Sequence, residues 1–205
     1  MAKVTFDETT HTYCIDGVPV PSVTQIIKPL YNYGMVSPDV LRRKGEFGTA
    51  VHKAVELYLY GTLDEETLVP ELLGCLQAFK RWCADYSREF DIESALVELA
   101  VAHEKLQYAG RLDFVFDGQA VIDLKSRDYE PRIDPVQLVA YEQAYIAGGG
   151  SKGKYVNYVL SLYPDETYQF CKAMNPQAWG VFRKCLDHWK HEQEFNYFVK
   201  AWRAK

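Results

Sequence analysis

Gly110-Arg111-Leu112-Asp113-Phe114-Val115-Phe116, a turn at Asp117-Gly118-Gln119, then Ala120-Val121-Ile122-Asp123-Leu124-Lys125 sets two apolar runs on either side of a turn. Each run carries an aspartate where a buried strand would carry Val or Ile, and the second adds a lysine two residues later. Carboxylates and amines are rarely buried unless they are paired or bind a metal. Side chains alternate along a strand, so Asp113 shares a face with Val115, and Asp123 shares one with Val121 and Lys125. Loop length decides whether the two aspartates meet. A two-residue loop sets Asp113 against Ile122 and splits the carboxylates between faces. A three-residue loop, Asp117 to Gln119, sets Asp113 against Asp123 and matches apolar with apolar on the other face. The three-residue loop, or another odd one, is the expectation.

Outward from this hairpin, residues 94–102 read as a strand in which Glu98 is the one charge. Taken alone, Glu98 is equally well an edge-strand charge facing water. Upstream, Gly45 to Tyr60 has helical period, with Phe47, Val51 and Tyr58 on its apolar stripe. Gly48, His52 and Glu56 follow one another at one-turn spacing beside that stripe. A mid-helix glycine costs about 1 kcal/mol relative to alanine, so Gly48 points to a close approach. A second helix is expected over 71–88, with Leu72, Leu76, Phe79, Cys83 and Tyr86 as its stripe. Downstream, Asp134-Pro135 reads as an N-cap and first helical position, and the helix runs to about Ala147 before Gly148-Gly149-Gly150. Gln137 and Tyr141 project together from it.

At the N-terminus, Val4–Phe6, Thr12–Ile15 and Val18–Val20 read as short strands, with a tight turn at Asp16-Gly17. His11 in this hairpin is read as locally bonded. Ser22-Val23-Thr24-Gln25 is a capping-box pattern for a short helix that stops before Pro29. Residues 31–44 read as an irregular connection with Tyr31, Tyr33, Gly34 and Pro38, closing on Arg42-Arg43-Lys44, a cluster read as solvated charge. Beyond the hairpin helix, Tyr155–Leu160 and Thr167–Phe170 read as strands around Pro164-Asp165. Asn175-Pro176 opens a last helix with Trp179, Phe182, Leu186 and Trp189 on its buried stripe. The mixed tail, Phe195, Tyr197, Phe198, Lys200, Trp202, Arg203 and Lys205, is read as amphipathic and packed on the domain.

The chain has 205 residues, enough for one domain with a full core. Its formal net charge of -5 announces no overall basic field, though a carboxylate-rich metal site would itself lower the total. The 5 cysteines (Cys14, Cys75, Cys83, Cys171, Cys185) are scattered, with no Cys-x-x-Cys pair. A disulfide framework and a zinc ribbon are therefore not expected. No apolar run reaches membrane-spanning length and no signal peptide is read, so the expected setting is reducing and cytoplasmic, with no membrane partner. Two aspartates on one sheet face with a neighbouring glutamate suit a hard cation such as Mg2+ or Mn2+. Lys125 is spaced to lie beside a water on that cation, to position it, deprotonate it or balance developing charge. Such a device suits attack on a phosphodiester. Neither a Gly-rich phosphate loop nor a serine nucleophile elbow is present.

The order His52 on a helix, Glu98 on a strand, Gly110-x-x-Asp113, Asp123-x-Lys125 and Gln137-x-x-x-Tyr141 resembles the PD-(D/E)XK nuclease superfamily, in its RecB-like and phage exonuclease branch. The resemblance covers about residues 45–162, and Pro21-Ser22-Val23-Thr24 is similar to the N-terminal segment of phage and prophage members. It implies one α+β domain over 1–205. The core would be restriction-endonuclease-like, a mixed sheet flanked by helices in the order αβββαβ. A hairpin extension at 1–44 and a C-terminal hairpin and helix at 163–205 would complete it. It implies metal ligation by His52, Asp113, Asp123 and the Leu124 carbonyl. Glu98 would lie at the edge of the site, in the catalytic set with Asp113, Asp123 and Lys125. Gln137 and Tyr141, with Arg111 and Ser126, would contact substrate. The implied activity is Mg2+- or Mn2+-dependent DNA hydrolysis, as an exonuclease in phage or prophage recombination within a bacterial cytoplasm. DNA, a recombination annealing protein and further copies of the chain are the implied partners. Leucine, not proline, precedes Asp113, as is usual in the RecB-like branch. The cysteines do not fit the iron–sulfur pattern of some relatives, so no such centre is expected. Two other readings use the same residues: a silent nucleic-acid-binding module, and a phosphoesterase for small substrates.

Overall fold

A computed structural model of the chain describes residues 3–31, 34 and 36–203. It is an α+β fold with a central five-stranded sheet in the order β4-β5-β6-β7-β8, made of β4 (Leu96–His103), β5 (Tyr108–Phe116), β6 (Ala120–Lys125), β7 (Val156–Leu162) and β8 (Tyr168–Lys172). Only β6 and β7 run parallel; the other neighbours are antiparallel. The parallel pair needs a crossover, and α4 (Asp134–Ala147) supplies it. Helices cover both faces. Against one lie α4, the short α1 (Val23–Ile26) and the first half of α5 (Ala178–Arg203), around Tyr108, Leu112, Val115, Val121 and Val159. Against the other lie α2 (Pro38–Leu59) and α3 (Pro70–Asp85), around Phe114, Phe116, Ile122, Leu124 and Leu160. Both faces of β5 and β6 are thus buried, which is why their sequences read as nearly continuous apolar runs. From α2 onward the order is helix, three strands, helix, strand, as expected, with α3 added between helix and sheet.

The loop between β5 and β6 is the three-residue one. Phe114 pairs with Ile122, Val115 with Val121 and Phe116 with Ala120, leaving Asp117, Gly118 and Gln119 outside the ladder. Gly118 takes a positive φ of 75°, and the Gln119 N–H closes on the Phe116 carbonyl at 2.9 Å. The Asp117 carboxylate then fastens this turn to the end of α4 and the segment after it. It accepts from the Ser151 hydroxyl at 2.6 Å, the Tyr155 hydroxyl at 2.8 Å, the Tyr145 hydroxyl at 2.9 Å and the Ser151 N–H at 3.2 Å.

At the N-terminus the three short runs read as strands form a three-stranded antiparallel sheet, β1 (Val4–Asp7), β2 (Thr12–Ile15) and β3 (Val18–Val20). It packs Tyr13 and Ile15 on Ala102 and Ala109 of the main sheet. His11 stacks on Phe6, a local role as read. The capping box is formed: Ser22 Oγ accepts the Gln25 N–H and the Gln25 side chain accepts the Ser22 N–H. The helix stops at Ile26, before Pro29 as expected, and a 3-10 turn over Lys28–Leu30 follows it.

Three expectations need correction. First, α2 starts at Pro38, not near Gly45, so Arg42, Arg43 and Lys44 are helical rather than part of an irregular connection. Ser37 caps the helix, Pro38 opens it and Asp39 sits in its first turn, a start signal inside the stretch read as a polar connection. Second, Asp134 does not cap α4; its carboxylate is drawn to Arg127 and the Glu130 N–H. Third, the tail does not pack on the domain. Phe195, Phe198 and Trp202 are 65%, 64% and 70% exposed on the last turns of α5. At 100° per residue their stripe lies roughly 180° around the helix from the buried Phe182–Leu186–Trp189 stripe, so one straight helix cannot bury both on the same body. Tyr33 of the expected connection and Lys205 of the tail lie outside the described residues.

The Asp117 hydrogen bonds, that from Ser151 foremost, hold its carboxyl down at about 2. A carboxyl depressed in the fold stabilises it above the ordinary value near 4 and loses that contribution as pH falls through 2. Asp117→Asn should therefore lower the urea midpoint at about pH 7, and the gap to the parent should narrow between about pH 4 and pH 2. A gap independent of pH would mean that the charge is not what fastens the turn.

Candidate metal and catalytic site

The ladder between β5 and β6 ends at Phe114 and Ile122, although both strands continue. Carried one residue further, the same register sets Asp113 opposite Asp123. There the strands part, and the Asp113 carboxylate fills the opening: its Oδ2 accepts the Leu124 N–H at 2.6 Å. The other ladder of β5 is also interrupted here. β4 pairs Val97 with Phe114 and Leu99 with Leu112, and skips Glu98, which would face Asp113. Glu98 holds a φ of +50°, a left-handed conformation that a β-strand residue adopts only where its surroundings impose it. Glu98, Asp113 and Asp123 thus stand in a row across three adjacent strands. β4 is an edge strand, but the Glu98 side chain does not face water; it is 11% exposed.

Helices reach this row from both faces. From α2, His52 Nδ1 lies 3.0 Å from Asp113 Oδ1 and 3.9 Å from Glu98 Oε1. From α4, Gln137 Oε1 accepts from Lys125 Nζ at 3.2 Å, and Gln137 Nε2 donates to the Tyr141 hydroxyl at 3.1 Å. Two glycines permit these approaches. A Cβ on Gly110 would lie 2.4 Å from a ring carbon of Tyr141, and one on Gly48 would lie 3.3 Å from Ser126 Oγ. The first is an overlap that something must yield to; the second explains the mid-helix glycine on α2.

Three cations face the three carboxylates. Lys125 Nζ lies 2.5 Å from Asp123 Oδ2. That contact is an ion pair outside hydrogen-bonding angles, so Asp123 Oδ2 is buried without a hydrogen bond. Arg111 Nε lies 2.8 Å from Glu98 Oε2, and the guanidinium sits over the Phe6 ring at 5.5 Å. Arg111, expected as a substrate contact, is engaged with Glu98 and the N-terminal sheet and keeps a third of its side chain exposed. His52 is the third cation. Burial alone would push its imidazole down, but the charge and hydrogen bond of Asp113, with Glu98 behind them, carry it up to about 10. Burial is also the largest influence on Asp123. It pushes the carboxyl up, Lys125 opposes, Asp113 adds, and the result is about 6. For Asp113 burial is outweighed by His52, Lys125 and the Leu124 N–H, and its carboxyl lies below the usual range. Burial works against the Lys125 charge as well, yet Asp123 and Asp113 together hold the ammonium above its ordinary value.

The donor set fits a hard divalent cation. Ligand atoms of His52, Glu98 and Asp113 lie within 4.8 Å of one another, and the unbonded Asp123 oxygen is one strand away. Glu98 therefore belongs to the cluster itself, while Asp123 lies beside it, paired with Lys125. The N–H and C=O of an extended residue turn to the same edge, so the Leu124 carbonyl faces the β5 side with its N–H. Ser126 follows Lys125 under α2, half-buried against Gly48. One contributor was not read from the sequence. Arg127 makes a bidentate pair with Asp134, which is fully buried, and so ties the end of β6 to the start of the helix that carries Gln137. Opposite charges on either side of a short connection were the available signal; Asp134 was assigned to capping instead. No protein-family model matches the chain, and no curated protein matches it.

A metal ligand must be unprotonated, so a cation entering this cluster displaces the proton that His52 carries. Mn2+ titrated into the protein should bind more tightly as pH rises from neutral toward 10, releasing about one proton at neutral pH. Calorimetry in buffers of different ionisation enthalpy measures that proton. Affinity that is flat with pH, and no buffer dependence, would remove His52 from the ligand set.

Proposed function

We propose that the chain is a divalent-metal-dependent nuclease that hydrolyses phosphodiester bonds in DNA. The observation that carries this reading is the meeting of seven residues from five elements, read from the sequence in that order. His52, Glu98 and Asp113 form one cluster, and Asp123, Lys125, Gln137 and Tyr141 form a chain of contacts beside it. A cation bound there would supply a Lewis acid that polarises a phosphoryl oxygen and acidifies water. Asp113, His52 and Glu98 would hold it. Lys125, kept as an ammonium by two carboxylates, is a donor rather than a base, so its part is to orient the attacking water and offset charge growing on the phosphorus oxygens. Gln137 fixes the Lys125 amine, and Tyr141, buried and with its hydroxyl pushed well above its usual range, stays a neutral hydrogen-bonding support.

The resemblance to RecB-like and phage exonucleases supports the finer reading: an exonuclease using Mg2+ or Mn2+ in phage or prophage recombination, in a bacterial cytoplasm. Among the described residues no helix is long and apolar enough to cross a membrane. The intact Asp113, Asp123 and Lys125 set favours activity over a silent binding module.

Labelled linear and closed-circular DNA, each with Mg2+ or Mn2+, test this. The parent should degrade the linear form only with metal and spare the circle. Lys125→Ala and Asp123→Asn should each lose about a hundredfold or more in rate, the usual cost of removing one preorganised charge-stabilising group. No metal-dependent degradation, or equal rates in the variants, would sink the nuclease reading; attack on circles would sink only its exonuclease part.

A further inference from the structure

Beside the candidate site, between the first half of α2 and the end of β6, lies an open groove of about 630 Å³. His52 and Lys125 line its inner end, so it is continuous with the metal cluster. Its outer end carries Arg43 and Lys44, and Val40, Leu41 and Phe47 supply an apolar wall. No carboxylate lines it among the described residues, in a chain whose net charge is -5.

The basic cluster at the start of α2 is divided by the helix. Arg42 is neutralised on the outer face, where it pairs with Glu46 at 2.9 Å and reaches Asp39 at 4.0 Å. Arg43 and Lys44 are exposed and have no ion-pair partner among the described residues; Arg43 donates only to the Asp39 carbonyl, at 3.4 Å. Lys44, Gly48 and His52 follow at one-turn spacing, so the free ammonium lies up the same face, roughly 12 Å along the helix from His52. Arg127, also on the wall, is spent on Asp134.

Free cations next to an apolar wall need a ligand with both characters. Duplex DNA presents phosphates but hides its base faces in the stack, and would leave Phe47 and Leu41 unused. An unpaired strand offers phosphates and bare base faces together. We infer that this groove binds an unpaired nucleic-acid strand leading into the site, with Arg43 and Lys44 on its phosphates and a base against Phe47. The inference rests on the nuclease reading for what happens at the inner end, and not for the binding itself.

A fluorescein-labelled twelve-nucleotide single strand and its duplex, titrated in EDTA and followed by anisotropy, separate the two. The single strand should bind roughly tenfold tighter or more. The Arg43→Ala, Lys44→Ala double variant should weaken it and flatten the salt dependence by about 1.4 log units per log unit of salt, about 0.7 for each phosphate that is no longer neutralised. Phe47→Leu, which keeps the packing against the α2–α3 core, should weaken the single strand about fivefold or more and leave the duplex unchanged. Arg42→Ala should change neither. Equal or tighter duplex binding, or indifference to all the groove variants, overturns the inference. The two readings fail separately. Groove-dependent strand binding without metal-dependent cleavage leaves the groove and removes the nuclease. Cleavage that ignores the groove variants leaves the nuclease and removes the groove.

Discussion

Everything in the site depends on the parting of β5 and β6 at Asp113. A continuous antiparallel ladder would have paired Asp113 with Asp123 and pointed both carboxylates out of the sheet on one face. Instead the Asp113 carboxylate takes the place of a ladder bond, accepting the Leu124 N–H that the parted strand leaves over. A buried N–H without a partner costs about 1–3 kcal/mol, and a buried carboxylate without partners costs more. Each offsets the other's cost, and so the opening is stable. Because the opening runs through the sheet, a helix on each face can reach it: His52 from α2 and Gln137 from α4.

The other irregularities follow from that opening. Glu98 is bent out of the strand pattern at the position facing Asp113, and its carboxylate is then caught between His52 and Arg111. With three carboxylates on adjacent strands, repulsion in a partly buried setting would be several kcal/mol per pair, and three cations answer it. The answer is uneven. Asp113 is doubly served, while Asp123 keeps one oxygen with an ion-pair partner and no hydrogen bond. One of the three cations is an imidazolium that can give up its proton, so an entering divalent cation raises the charge of the site by only one.

Much of this was legible in the sequence, for identifiable reasons. Strand period and loop length are local, so the Asp117–Gln119 loop and the Phe114–Ile122 register could be worked out from a dozen residues, but not that the ladder stops short of Asp113. Gly48 announces a close approach, though not that Ser126 makes it, and nothing in the sequence shows that Tyr141 closes on Gly110. What failed to show was whatever depended on partners far along the chain. The kink at Glu98 leaves no trace in its neighbours, which read as a plain strand. Asp134 is a nearer case: Asp-Pro reads as a helix start, and the opposite charge of Arg127 seven residues earlier is the signal that outranks it. The start of α2 does not show in the apolar period, because its first turns, Pro38 to Lys44, read as part of a polar connection although Ser37-Pro38-Asp39 is a sound start signal. The tail of α5 was misread because apolar residues at helical spacing say that a face exists, and only the direction of the preceding stripe says whether that face can meet the same core.

The negative net charge of the chain is no objection to a polyanionic substrate. At physiological salt, exposed charges farther apart than about 8 Å are largely screened from one another. A phosphate in the groove therefore responds to Arg43 and Lys44, not to acids elsewhere on the surface. Within the site the carboxylates are already matched by Lys125, Arg111 and His52, and one further divalent cation would leave a net positive centre. The relevant quantity is the charge left unpaired at each place along the path. Along the groove that charge is positive at the mouth and balanced at the inner end, and metal binding would turn the inner end positive as well. An anionic strand would then be drawn inward only once the site is loaded, and the same three carboxylates that lower the total charge are what allow that loading.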